Sequence, residues 1–404
     1  MRKRKVALLL HQLRYGGAER ALTYLAKGFA EQGIEVDFLI RNQEHTAYLD
    51  NLPEEVRLLR VGKKSVLKTR VQIARSLPQA VSRTPRLFYG KDLLPINLRM
   101  IPGIVTYLKA EQPDGLLTTI PRNNISAIWA QKIARVPTRV VIREANTFSA
   151  ASATAGHYFE RNMHHLAARW YPEAAGIVSV CDGVGDDLAD FLKLERSQIR
   201  TIYNPLDLQR IERLSAESSR HPWLQDKTHP VLVTVGRLHP QKDHETLLKA
   251  LARMNDQRPV RLIIVGEGDR DKLLHQARQL GVQDRISLAG NTANPYAYIA
   301  RADAFVLSSA WEGFPNVLLE ALACRTPIVS TDCPSGGPSE LLHRGRYGRM
   351  VPVGNPECMA EAIEGALQAP GDLEAGYRYV ESFTMERSAG SYLSLLLGER
   401  ADAL

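Results

Sequence analysis

Short apolar runs that do not alternate with polar residues recur along this chain in two successive sets. They lie at 5–10, 36–40, 115–119, 139–142, 176–180 and 199–203, and again at 231–235, 261–265, 286–288, 304–307, 327–330 and 348–351. Runs of this kind read as strands buried on both faces, and helical stretches between them make βαβ units of a parallel sheet. The expected fold class is therefore α/β, with two similar sheets. At 404 residues the chain is too long for one ordinary core. We expect one domain over 1–205, a second over 206–384 and a C-terminal helix within 385–404 that crosses back to the first. Residues 206–228, charged and helical in pattern but without a long apolar face, read as the connection. The largest concave site is expected between the two halves.

One strand-to-helix joint, 304–322, concentrates the chemistry. After Ser308-Ser309 comes the loop Trp311-Glu312-Gly313-Phe314, and Pro315 suits a first helical turn, where its missing N–H has no intrahelical partner. From Asn316 onward the residues favour a helix, which places Glu312 in the loop and Glu320 about one turn inside. Two acids at the carboxyl end of a parallel strand, beside free helix N–H groups, occupy the region where open α/β sheets bind ligands. By spacing alone, a loop acid and a solvated helix acid are an equal alternative.

A second joint follows the strand at 231–235, with the sequence Gly236-Arg237-Leu238-His239-Pro240-Gln241-Lys242-Asp243-His244. A buried diphosphate needs fixed cations, since charge-assisted hydrogen bonds contribute about 1.5–3 kcal/mol each against about 0.3–1 for a helix terminus. Arg237 and Lys242 would dominate such a site. Gly266-Glu267-Gly268 follows the second strand of its half and lacks a third glycine, so a nicotinamide site is disfavoured; these glycines could instead clear space for a flat base. Gly16-Gly17 opens a helix where backbone can approach a phosphate or sugar, and the loop Cys333-Pro334-Ser335-Gly336-Gly337-Pro338-Ser339-Glu340 suits an anion or sugar. No His/Cys/Asp/Glu cluster has metal-ligand spacing, and no Walker loop or nucleophile elbow appears.

Charge is unevenly placed: residues 1–205 carry 30 Lys+Arg against 19 Asp+Glu, while the remainder carries 22 against 25. Residues 57–109 alone hold 12 basic side chains, among them Lys63, Lys64, Lys68, Arg70 and Arg75, and one acid, Asp92. That density favours an anionic partner, and few aromatics interleave as single-stranded nucleic acid would require. Leu67, Val71, Ala74 and Val81 fall on one helical stripe with the basic residues off it, so an interfacial membrane element and a core helix with a solvated basic face both fit. No apolar run approaches the roughly 18 residues needed to span a bilayer. Residues 2–10 imitate a signal peptide, but the apolar part is short and without a small-residue cleavage site, so it reads as the first strand. Four cysteines without a C-x-x-C pair fit reduced thiols in a cytosolic protein.

In combination, Gly16-Gly17-Ala18-Glu19-Arg20, Tyr203-Asn204-Pro205, Gly236-Arg237-Leu238 with Lys242-Asp243-His244, Gly266-Glu267-Gly268 and the Glu312/Glu320 pair resemble glycosyltransferase family 4. The resemblance implies the GT-B fold, two Rossmann-like domains with a cleft between, the first binding acceptor and the second donor. It further implies a retaining, metal-independent hexosyltransferase using a nucleotide-sugar co-substrate, most simply a UDP-sugar, with no cofactor. Arg237 and Lys242 would hold the donor diphosphate, Glu320 the ribose, and Glu312 with the N–H groups of Gly313, Phe314 and Asn316 the transferred sugar. Pro315 belongs to the same donor-binding stretch. Gly266 would line the base, and Gly16 and Gly17 would cover the phosphates. Many members carry a sugar-contacting histidine in the loop that reads Arg143-Glu144-Ala145-Asn146 here, so Glu144 takes that place.

The segment 333–338 resembles members that build bacterial surface polysaccharide or lipopolysaccharide on lipid carriers. With the basic first half, this implies a lipid-linked or glycolipid acceptor at the inner face of the cytoplasmic membrane, with Lys63, Lys64, Lys68, Arg70 and Arg75 toward acceptor or anionic lipid. Another GT-B enzyme such as a nucleotide-sugar epimerase, or a non-catalytic nucleotide-sugar-binding scaffold, are the alternatives.

Overall fold

The computed structural model describes residues 3–13, 16–41, 52–85, 88, 97–153, 163–254 and 259–399. It resolves into two compact units, residues 1–205 with 385–404, and residues 206–384. Thirteen strands are described, numbered here in chain order. The first unit holds β1 (Lys5–Leu9), β2 (Glu35–Ile40), β3 (Arg57–Arg60), β4 (Gly115–Thr119), β5 (Arg139–Glu144), β6 (Gly176–Ser179) and β7 (Ile199–Thr201). The second holds β8 (Val231–Val235), β9 (Arg261–Val265), β10 (Ile286–Gly290), β11 (Ala304–Leu307), β12 (Ile328–Asp332) and β13 (Arg349–Pro352). Every pairing is parallel.

The sheet orders are β3-β2-β1-β4-β5-β6-β7 and β10-β9-β8-β11-β12-β13. Each winds outward in one direction from its first strand and then reverses, so a switch point lies between β1 and β4 and another between β8 and β11. Both sheets are covered, as their continuous apolar strands require. In the first unit one face packs Leu116, Val140, Ile142 and Ile177 with Trp129, Trp170 and Tyr171. The other packs Leu117, Val141 and Val178 with Leu22, Phe29, Tyr392 and Leu396. The last two belong to helix Met385–Leu397, which lies on the first sheet; Arg139 Nε donates to Leu395 O at 2.8 Å, and Gly115 has no room for a Cβ, which would come within 2.7 Å of Leu396.

Two readings are revised and one strand is added. Residues 206–228 are not a simple connection: helices Leu208–Ala216 and Pro222–Gln225 belong to the second unit, where Ile211 and Leu224 are buried and Arg301 and Asn294 donate to the carbonyls of Ser215 and Leu214. Two short apolar contacts and these hydrogen bonds replace the long apolar face. The short edge strand β3, with arginines at both ends, was not expected. In the basic region the buried stripe is Thr69, Ile73, Leu77 and Ala80, whereas Leu67 is 72% exposed and Val71 39%. Thr69 serves as a core residue because its hydroxyl bonds back to Ser65 O at 3.0 Å, and Pro78 ends helix Val66–Ser76 and starts helix Pro78–Arg83.

Candidate active site

The second unit's switch point sets one loop beside another. Gly236 follows β8, and a Cβ there would lie 2.9 Å from Lys242 Cε, so the glycine leaves space for the Lys242 stem. The turn is fixed by His239, whose Nδ1 accepts from Gln241 N at 3.2 Å, and by Asp243, whose carboxylate caps helix His244–Arg253. Gln241 then ties this loop to the one after β11: Ala310 N donates to Gln241 O at 2.8 Å, and Gln241 Nε2 to Trp311 O at 3.0 Å.

Held in this way, Lys242 Nζ lies 2.6 Å from Glu312 Oε1, with the two side chains 16% and 10% exposed. Ser309 Oγ donates to the same carboxylate oxygen at 2.7 Å. Ser335 Oγ donates to Glu312 O, and Thr331 Oγ1 to Ser309 O at 2.6 Å, so the loops after β11 and β12 are joined. The Cys333 thiol lies in the same place, donating to Ser309 O at 3.3 Å, and burial pushes its pKa up to about 12.

The sequence-derived residues divide as follows. Arg237, Lys242, Gly266, Glu312, Gly313, Phe314, Pro315, Asn316 and Glu320 all lie in the second unit. Asn316 begins helix Asn316–Ala323 and Pro315 is its cap residue, one position earlier than expected. Glu320 is 1% exposed, which removes the reading of a solvated helix acid. Arg237 is fixed through its carbonyl, which sits 3.3 Å from His244 Nε2. Burial depresses His244 to about 4, so it is neutral near pH 7 and donates through Nε2.

The glycines at 266 and 268 have a reason other than room for a base. With φ of +153° and +150°, they let the loop after β9 run along the loop after β8; a Cβ on Gly266 would fall 2.0 Å from Gly236 O. Leu238 N also donates to Glu267 O at 2.7 Å, so the two loops run together at the carboxyl ends of β8 and β9.

Gly16, Gly17 and Glu144 lie in the first unit, as do Lys63, Lys64, Lys68, Arg70 and Arg75. Gly16 precedes helix Gly17–Glu31, and the Glu19 carboxylate folds back to where a Cβ on Gly16 would be, at 2.2 Å. Glu144 ends β5 and is buried, accepting from Asn124 Nδ2 at 2.8 Å and from the Tyr171 hydroxyl. Lys63, Lys64, Lys68 and Arg75 are exposed around helix Val66–Ser76. Arg57 of the same basic window is committed elsewhere, bridging Asp37 at 2.7 Å and Glu111 at 2.9 Å, and Arg99 Nε donates to Lys64 O. Arg86 and Lys91 lie outside the described residues. Sequence reasoning missed Ser309, Gln241, Asn124 and Tyr171; only Ser309, three residues before Glu312, carried a local signal.

Among the described residues, no group of three His, Cys, Asp or Glu side chains could hold a metal ion, and no helix is long and apolar enough to cross a membrane.

Residues 229–369 match a family model described as glycosyl transferases group 1, and residues 15–210 one described as Glycosyltransferase Family 4. Over 253 residues the chain is 32% identical to the N-acetylgalactosamine-N,N'-diacetylbacillosaminyl-diphospho-undecaprenol 4-alpha-N-acetylgalactosaminyltransferase of Campylobacter jejuni. That match spans 61% of this chain and 65% of the relative, just short of two thirds of its length. The lipopolysaccharide core biosynthesis glycosyltransferase LpsE of Rhizobium meliloti is 28% identical over 396 residues, 94% of this chain and 96% of that one. The structure of Anabaena HepE in complex with UDP-glucose superposes with a TM-score of 0.74 at 18% identity, covering 96% of this chain and 99% of that one. The lipopolysaccharide outer core galactosyltransferase WaaB superposes at 0.69, with 18% identity and coverage of 98% and 99%.

Proposed function

Since the chain belongs to glycosyltransferase family 4 and has the GT-B fold, we propose that it transfers a sugar from a UDP-sugar, with retention, to a lipid-linked or glycolipid acceptor of surface polysaccharide or lipopolysaccharide synthesis. The observation that carries the site is the Lys242 ammonium on the Glu312 carboxylate at the β8/β11 switch point. In this reading Arg237 and Lys242 neutralise the leaving diphosphate and no divalent ion is needed, because fixed cations stabilise charge as it develops without reorganising. Glu312 orients the sugar rather than attacking it: an ammonium and a hydroxyl both bind its Oε1, which lowers its nucleophilicity. Glu320 binds the ribose, and Glu144 meets a sugar hydroxyl. The UDP-bound neighbours and the glycolipid vocabulary of the relatives' names support the donor and acceptor classes.

A bound donor raises the melting temperature by mass action, so a thermal screen of UDP-glucose, UDP-galactose and their N-acetyl forms identifies a donor. Glu320→Ala weakens UDP binding by roughly 10- to 100-fold in calorimetry, the loss of one or two hydrogen bonds to a charged acceptor. Unchanged UDP affinity removes Glu320 from the ribose role.

Exposed Leu67 and Val71 among Lys63, Lys64 and Lys68 support attachment to an anionic membrane surface. Each basic residue near such a surface contributes about 1 kcal/mol. Replacing the three lysines by alanine therefore weakens sedimentation with phosphatidylglycerol vesicles by roughly 100-fold. Unaltered sedimentation would show that this helix serves something else.

A further inference from the structure

Glu144 is satisfied on one side only. Asn124 Nδ2 and the Tyr171 hydroxyl both donate to Oε1, and among the described residues nothing donates to Oε2. Asn124 and Tyr171 are fully buried, whereas Glu144 keeps 3% of its surface exposed. A carboxyl that serves only the interior would need both oxygens satisfied within it.

The donors come from two separate elements. Asn124 stands in helix Pro121–Ala134, which follows β4, and Tyr171 in the turn Tyr171–Glu173, which leads into β6. They therefore reach the same carboxylate oxygen from segments that precede different strands, β5 and β6. Their positions are themselves fixed. Tyr171 packs edge-to-face against Phe148 at 6.4 Å, and Asp187 holds the start of the Phe148 helix by accepting from Phe148 N at 2.7 Å and Ser149 N at 3.1 Å. Asn124 Nδ2 also lies 3.3 Å from the Tyr171 hydroxyl.

We infer that Tyr171 and Asn124 are positioning residues, which clamp Oε1 of Glu144 so that Oε2 is presented outward to accept a hydrogen bond from a sugar hydroxyl. This rests on the reading of Glu144 given above. The clamp also sets when the carboxyl is ionised. Burial raises Glu144 to about 7; the Tyr171 and Asn124 hydrogen bonds and the charge of Arg143 oppose that rise, and Asp187 adds to it. An accepting Oε2 is most effective when ionised, so turnover rises with pH through that region.

The test follows pH profiles of kcat and KM with the UDP-sugar that the thermal screen selects, alongside infrared titration of the Glu144 carboxyl against a Glu144→Gln reference. Tyr171→Phe keeps the ring against Phe148 and removes one donor to the charged form. Its acidic limb and its infrared midpoint move up together by about one pH unit. Asn124→Ala, measured in the same way, moves them in the same direction and keeps the test open if Tyr171→Phe does not fold. Glu144→Gln with wild-type turnover overturns the Glu144 reading and this inference with it. Impaired Glu144→Gln together with unmoved limbs in both clamp variants overturns this inference alone.

Discussion

Lys242→Met is expected to cost about 3–5 kcal/mol of stability and at least about 100-fold in transfer, and the two losses have different origins. Lys242 and Glu312 are 2.6 Å apart and both largely shielded. Removing the ammonium takes the ion partner from a shielded carboxylate, and losing one half of a shielded pair is costly. Methionine keeps an unbranched stem against Gly236, so packing loss is a minor contribution. Adding Glu312→Gln removes the remaining charge of the pair and restores most of the stability. It does not restore transfer, because the diphosphate still lacks its cation. Urea denaturation of the single and double variants, with transfer assayed on each, reads both effects. Recovery of transfer in the double variant would mean that Lys242 acts only through Glu312.

Glu144→Gln is expected to stabilise the protein while reducing its activity. The sign follows from linkage. Burial raises the folded carboxyl from 4.5 to about 7, so between those values the folded state binds more protons than the unfolded one, and stability falls as pH rises. The penalty is absent below about 4.5 and complete above about 7, where a difference of this size corresponds to about 3 kcal/mol. The replacement glutamine carries no charge, and its amide oxygen can still accept from Tyr171 and Asn124. The variant therefore melts several degrees above the parent at pH 8 and close to it at pH 4.5. A gap of equal size at both pH values would contradict a buried, ionising Glu144. Higher stability with lower turnover is the usual signature of a group kept for function at the fold's expense.

Strand periodicity made most of the fold legible, since a strand buried on both faces is apolar throughout and needs no partner to be recognised. Twelve of the thirteen described strands fall on such runs. The exception, β3, is a four-residue edge with arginines at its ends, and its two leucines are too short an apolar run to stand out. In the basic helix the buried stripe was not legible, because hydrophobicity ranks Leu67 above Thr69, while the backbone can satisfy a threonine hydroxyl and free it for burial. At the site, residue types were legible from their place at strand ends, but contacts were not. Lys242 and Glu312 are 70 positions apart, and only the β8/β11 adjacency brings them together. The clamp on Glu144 draws on a helix and a turn that carry no motif at all, because an asparagine and a tyrosine in apolar segments look like ordinary core-edge residues.

The central claim is that the cations after β8 hold a diphosphate, and comparing UDP with uridine by calorimetry tests it most directly. Both ligands carry the base and ribose, and only UDP carries the phosphates. Wild-type protein is expected to bind UDP at least about 100-fold more tightly than uridine. Lys242→Met is expected to remove most of that difference and to leave uridine binding unchanged. Equal affinities for UDP and uridine in the wild type, or a difference that survives in Lys242→Met and in Arg237→Ala, would contradict the claim.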